Sequence, residues 1–86
     1  MFSPDFSNDI LRTFKKLKKK DAAFYGQVRD KMGQILLNPG HYKPMKNKLK
    51  GSCRTQVGPF VLLFEIKAEE KIVKFVKFEH HDKVYK

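Results

Sequence analysis

The apolar positions of this chain change period part-way along. Before Asn38 they recur every three or four residues, and beyond Ser52 they alternate or run together. Phe60-Val61-Leu62-Leu63-Phe64-Glu65-Ile66 reads as a strand rich in aromatic and branched residues. Cys53 to Val57 alternates ahead of it, and Gly58-Pro59 breaks the two apart. After the turn Lys67-Ala68-Glu69-Glu70, Ile72 to Phe78 forms a third strand. Connections this short predict an antiparallel meander. Side chains alternate across a strand, so the two faces can be read separately. Phe60, Leu62, Phe64 and Ile66 share one face with Cys53, Thr55 and Val57. Val61, Leu63, Glu65 and Lys67 share the other with Arg54 and Gln56. The tail from Glu79 to Tyr85 is expected beside that more polar face.

The first half predicts two helices. Met1-Phe2-Ser3 reads as a stub of strand. Ser3 then reads as an N-cap, with Pro4 at the first helical position and Asp5 near the positive helix end. Phe6, Ile10, Leu11, Phe14 and Leu17 form one stripe. Asp21 caps a second helix running to about Leu37, with Phe24, Val28, Met32, Ile35 and Leu36 as its stripe. Gly26 and Gly33 each weaken that helix by about 1 kcal/mol relative to Ala, and close approach to the first helix is the expected reason for them. Asn38-Pro39-Gly40 ends it. So short a link between helices predicts an antiparallel hairpin, whose apolar face packs on the apolar face of the meander. The fold class is α+β, in a single domain spanning 1–86.

Bulk properties narrow the setting. Cys53 is the sole cysteine, which fits a reducing compartment. The longest apolar run, Phe60 to Phe64, falls far short of a membrane span, and the N-terminus lacks a signal pattern. A cytoplasmic location is expected. The formal charge is +10, from nineteen Lys and Arg against nine Asp and Glu. That excess repels itself and suits a polyanion partner, either nucleic acid or an acidic protein. Lys15, Lys16, Lys18, Lys19 and Lys20 crowd the end of the first helix. They read either as a solvated helix end favoured by the dipole or as a phosphate-facing ridge.

The loop from His41 to Gly51 is basic, with Lys43, Lys46, Lys48 and Lys50, and Leu49 is its expected anchor. Lys48, Lys50, Arg54, His80, His81 and Lys83 are the candidates for a basic cluster. Cleaving RNA with side chains alone needs a base for the 2′-hydroxyl, cations for the phosphate and an acid for the leaving 5′-oxygen. Histidine suits acid or base work near neutral pH. Lys and Arg suit phosphate clamping, and Tyr85 suits stacking on a base or donating a proton. His41, Cys53, His80 and His81 match no zinc-ligand spacing, and no glycine-rich phosphate loop or Ser-His-Asp set is visible. No metal or cofactor is expected. Cys53 reads as a small buried residue.

Two helices, Asn38-Pro39, Leu49-Lys50-Gly51, three strands and a closing His-x-x-x-Val-Tyr resemble the RelE/ParE toxin superfamily over nearly the whole chain. The family's strand pair reads Tyr-Arg-Ile-Arg-Val-Gly-Asp-Tyr-Arg-Val-Ile-Tyr, where this chain has Cys53 to Phe64 with Gly58 at the turn. The family's His-Arg-x-x-Val-Tyr stands here as His80-His81-Asp82-Lys83-Val84-Tyr85. The resemblance implies a helical hairpin packed on one face of a small, mostly antiparallel sheet of three to four strands. It implies a ribosome-dependent, metal-independent endonuclease acting on messenger RNA, and a cognate RelB-like antitoxin that wraps and silences it. Its catalytic positions fall on Arg54, His80, His81 and Tyr85, with Lys46, Lys48, Lys50 and Lys83 gripping RNA.

This chain departs from the pattern at Gln56, Val61 and His81, where the family carries arginines. Each charged hydrogen bond to a phosphate is worth roughly 1.5–3 kcal/mol, so weakened or altered catalysis is expected. Three readings follow. The first is the messenger RNA endonuclease. The second is a relative without nuclease activity, either ParE-like and directed at DNA gyrase or retaining only antitoxin binding. The third is a basic RNA- or ribosome-binding module. The kept His80 and Tyr85, with His81 beside them, favour the first.

Overall fold

A computed structural model of the chain describes residues 1–42 and 52–84, with side chains through residue 82. Lys43, Lys46, Lys48, Leu49, Lys50 and Tyr85, and the side chain of Lys83, lie outside the described residues. The elements run β1 (Ser3–Phe6), α1 (Asn8–Lys20), α2 (Ala22–Leu37), a 3-10 turn (Pro39–His41), β2 (Ser52–Val57), β3 (Phe60–Lys67), β4 (Ile72–His80) and α3 (His81–Val84). The sheet order is β1-β4-β3-β2. β3 pairs antiparallel with β2 and β4, and β1 pairs parallel with β4. The expected α+β hairpin-on-sheet arrangement holds, with β3 and β4 central.

The N-terminus corrects the expected helix start. Ser3 does not cap a helix, and Pro4, Asp5 and Phe6 are not helical. They form β1, with Ser3 N–H donating to the Lys71 carbonyl at 2.8 Å. Pro4 is tolerated because β1 is an edge strand. Phe6 leaves the expected helical stripe and stacks on Phe75, with ring centroids 5.6 Å apart. Ser7 is the true cap: its Oγ accepts from Ile10 N–H at 3.1 Å, and Asp9 is the acid of the first turn. Serine followed by an acid occurs twice in this segment, and Pro4 suits a first helical position and an edge strand equally well. The true start therefore lies one turn beyond the expected one.

Asp21 joins the hairpin. Its N–H donates to Leu17 O at 2.8 Å, closing α1, while its Oδ1 accepts from Phe24 N–H at 3.1 Å, opening α2. Ile10 and Phe14 from α1, and Val28, Met32 and Ile35 from α2, meet Cys53, Val57, Leu62, Phe64, Val73, Phe75 and Phe78 from the sheet. Phe60 is half-buried and stacks on Phe78 at 4.8 Å. Close approach does not explain Gly26 and Gly33: a Cβ at either position would meet nothing within 4 Å.

Two features of β4 bear on the site. The pairing with β3 slips at Leu63/Phe64, so that Leu63 opposes Lys77 while Phe64 opposes Phe75. This bulge leaves Val76 as the extra residue, and its carbonyl accepts from the Ser7 hydroxyl at 2.7 Å. Glu79 and His80 do not belong to a tail lying beside the polar face. They extend β4, because they find partners in Val61 and Phe60. The chain then turns into α3, where His81 N–H donates to Pro59 O at 2.9 Å.

Candidate functional site

The face of the sheet turned away from the helices is laid out by strand register. Arg54, Leu63 and Lys77 form one row, and Gln56, Val61 and Glu79 the next. Ser52, Glu65, Lys74 and Asp5 form another row, on the far side of the bulge. Along these rows Arg54, Lys74 and Lys77 are balanced by Asp5, Glu65 and Glu79, and Lys77 pairs with Glu79 at 3.6 Å. The sheet face is therefore far closer to neutral than the chain as a whole. Val61, at the place of a family arginine, is only 1% exposed and presents no charge.

Positive charge gathers instead at the β2 edge. A cleft of about 490 Å³ opens between α2, the 3-10 turn and β2, lined by Lys31, His41, Tyr42, Arg54, Thr55, Gln56 and Val61. Arg54 and Lys31 are half-buried, and His41 and Gln56 are exposed. Gln56 Nε2 donates to Gly58 O at 3.0 Å, which turns its amide towards the β2–β3 turn. None of the described residues lining the cleft is acidic. It can therefore attract an anion, hold it with two cations and offer it a titratable ring.

Among the described residues that the sequence marks as catalytic or RNA-binding, Arg54 alone lines this cleft, together with Gln56 and Val61 at two of the family's arginine positions. His80 ends β4 in register with Phe60, and its ring meets the Phe60 ring edge-on at 5.6 Å. Asp82 N–H donates to His80 Nδ1 at 3.3 Å, and the Asp82 carboxylate lies 3.7 Å from His80 Nδ1 and 4.0 Å from His81 Nδ1. His80 is three residues along and two strands across from Arg54, roughly 14 Å between Cα atoms by ideal strand spacing. The two histidines thus stand at the end of the sheet where β2 and β4 finish, while Arg54 lies three residues in from that end and two strands away.

Lys31, His41 and Tyr42 are the lining residues that the sequence does not mark for RNA chemistry. Lys31 sits in a helix whose dominant signal is its apolar stripe, and Tyr42 sits in what reads as loop. The one available signal is an aromatic directly after a helix stop. Tyr42 seats its ring against Phe64, centroids 5.8 Å apart. Cys53 is 4% exposed, and burial pushes its thiol pKa up, which keeps it protonated and unreactive. Among the described residues, no three His, Cys, Asp or Glu side chains gather as a metal-holding group. No helix there is long and apolar enough to cross a membrane.

α1 carries the other concentration of charge. Arg12, Lys15, Lys16 and Lys19 line a shallow groove on its outer surface, and Arg12 pairs with Asp9. α1 packs on β4, whereas α2 reaches β2, so this ridge lies over the opposite half of the sheet from the cleft.

Known proteins share both the sequence and the fold. A protein of Methanocaldococcus jannaschii described as a candidate toxin, RelE4, is 33% identical over 87 residues, covering 100% of this chain and 93% of its own. The toxin–antitoxin complex RelBE of E. coli contains a chain that superposes with a TM-score of 0.79 at 15% identity, covering 93% of this chain and 96% of that one. A YoeB/ParE toxin from Agrobacterium tumefaciens superposes with a TM-score of 0.80 at 11% identity, covering 92% and 98%. At those identities the two structures speak for the fold alone. The family model for the ParE toxin of type II toxin–antitoxin systems matches residues 1–85, and the chain belongs to that family, within the RelE/ParE toxin superfamily.

Proposed function

We propose that this toxin is a ribosome-dependent endonuclease that cuts messenger RNA in the cytoplasm and is held silent by a cognate RelB-like antitoxin. The observation that carries the reading is the cleft in which Arg54 and Lys31 stand with a histidine and a tyrosine and without a described acidic neighbour. Two cations beside a phosphodiester stabilise the charge that develops as its bond breaks. The acid–base work needs no metal where imidazole and phenol groups are positioned. Arg54 is assigned the phosphate. On the family resemblance, His81 and Tyr85 are assigned to proton transfer or to the ribose, with His80 beside them. Lys46, Lys48, Lys50 and Lys83 are assigned to the RNA backbone.

The test is cleavage of a defined message on programmed ribosomes, read by primer extension, with and without the product of an adjacent small acidic gene. Cleavage that the second protein abolishes is the expected result. Intact message at every toxin concentration refutes the reading.

A second reading is favoured by Val61, which is buried and apolar where the family pattern has an arginine, and by the charge balance across the sheet face. In that reading the toxin acts without cutting RNA, on DNA gyrase in the manner of ParE. Inhibition of gyrase supercoiling together with intact message would establish it.

A further inference from the structure

We infer that His41 is a catalytic residue, the group that takes the 2′-hydroxyl proton, and that the cleft beside it binds the scissile phosphodiester of single-stranded RNA. The inference rests on the nuclease reading and replaces the tail histidines as the base.

His41 is held by a short rigid path from the core. Phe64 is 1% exposed. The Tyr42 ring meets it at 5.8 Å with an interplanar angle of 86°, and the His41 ring meets Tyr42 at 5.3 Å and 87°. The backbone is tied as well. His41 N–H donates to Asn38 O at 3.2 Å and Tyr42 N–H to Pro39 O at 3.4 Å, with Pro39 itself buried. An imidazole anchored on one side and open to solvent on the other can accept a proton from a substrate and hand it on.

The surroundings suit a phosphate. Lys31 approaches from α2 and Arg54 from β2, while Tyr42 comes from the same turn as His41. Thr55 and Gln56 add neutral hydrogen-bonding groups. His80 and His81 differ on each count: both have the Asp82 carboxylate within 4.0 Å, and neither lines the cleft with Arg54. A carboxylate so close to both rings repels an incoming phosphate, whereas no described acid lines the cleft beside His41.

The step balances without a redox partner or metal. Neutral His41 takes the 2′-hydroxyl proton as the 2′-oxygen forms a bond to phosphorus. The bond from phosphorus to the 5′-oxygen breaks, and that oxygen takes a proton from water. The products are a 2′,3′-cyclic phosphate and a 5′-hydroxyl end. The imidazolium then returns its proton to solvent. Lys31 and Arg54 hold the non-bridging oxygens throughout.

The experiment has two arms on the full-length toxin. In the first, cleavage on programmed ribosomes is measured against pH for wild type, His41→Ala and His81→Ala, with each fold checked by its melting curve. In the second, ring signals of all three histidines are followed by NMR as a 2′-O-methyl oligoribonucleotide is added, since it cannot be cleaved. The inference expects His41→Ala to lose about 10²-fold or more in rate, with a greater loss than His81→Ala. It expects the oligonucleotide to move the His41 signals first. Wild-type cleavage by His41→Ala overturns the role and leaves the nuclease reading standing, as does an oligonucleotide that moves only His80 and His81. Absence of cleavage by wild type overturns both the role and the nuclease reading, and movement of His41 in the second arm would then leave the cleft as an RNA-binding site alone.

Discussion

The Ser7 hydroxyl donates to the Val76 carbonyl at 2.7 Å while its oxygen accepts from Ile10 N–H at 3.1 Å. One side chain thus starts α1 and occupies the carbonyl that the β4 bulge sets free, across 69 residues of sequence. Both groups are part-buried, so losing the donor leaves an acceptor under-satisfied. Ser7→Ala is expected to lower stability by roughly 2–3 kcal/mol, about 1 from the cap and the rest from the carbonyl. Ser7→Asp keeps the capping oxygen but has no proton to donate when ionised, and it should fall between wild type and Ala. Urea melts measure both: wild-type stability in Ser7→Asp would show that the bulge contact contributes nothing, and equal losses for the two variants would show that the cap contributes nothing.

Phe64 is the second structural test. It sits on the central strand, 1% exposed, between the Phe75 ring at 6.1 Å and the Tyr42 ring at 5.8 Å. Phe64→Ala is expected to remove about 3–5 kcal/mol, the usual range for an emptied aromatic core site. A loss below about 1 kcal/mol would contradict the packing described for that face. His41 hangs from the same ring through Tyr42, so any Phe64→Ala protein that still folds should also lose cleavage.

The glycines separate into two kinds. Gly33 lies exposed in the interior of α2, and a Cβ added there would meet nothing within 4 Å. Gly33→Ala should therefore raise stability by about 0.5–1 kcal/mol through helix propensity alone. Gly58 has φ +58°, and a Cβ there would stand 3.1 Å from a Phe24 ring carbon. Gly58→Ala should lower stability by roughly 1–2 kcal/mol for the left-handed backbone, with any displacement of Phe24 adding to it. Thermal melts of the pair should move in opposite directions, and a shared sign would refute the distinction.

The legible parts of the fold are those in which one face is buried. The period-two run in β3 and the stripe of α2 identify their elements to within a residue or two, because a slip would turn every core side chain to water. β1 is hidden because four residues with exposed alternate positions carry no hydrophobic period, and Pro4 reads as a helix start. The bulge is hidden because Val76 and Phe75 are both apolar, so the pattern through β4 does not show which one is extra. The site is less legible still. Arg54 can be placed on the polar face by alternation, but the cleft depends on a turn returning to the β2 edge. No local pattern reports that Lys31, His41 and Arg54, far apart in the chain, meet there.

The last prediction concerns which cations touch RNA. α1 carries Arg12, Lys15, Lys16, Lys18, Lys19 and Lys20 against Asp9 alone, and by charge it is the obvious grip. Its position argues otherwise, because α1 packs on β4 while the cleft opens at the β2 edge by α2. Lysines at a helix C-terminus are also favoured by the dipole whether or not a ligand binds. Salt dependence separates the two, since each phosphate neutralised on a single strand adds about 0.7 to the slope of log affinity against log salt. The double variant Lys31→Ala with Arg54→Ala should reduce the slope by roughly 1.4, two contacts' worth. Lys48→Ala with Lys50→Ala should reduce it comparably if the loop grips the same strand. The triple variant of Lys15, Lys16 and Lys19 to Ala should weaken binding slightly through net charge and leave the slope almost unchanged. The measurement is fluorescence anisotropy of a labelled 2′-O-methyl oligonucleotide over a salt series, with ribosome sedimentation as a check. A slope that drops by about 2 for the α1 variant and holds for the cleft variant would move the RNA to the other half of the protein.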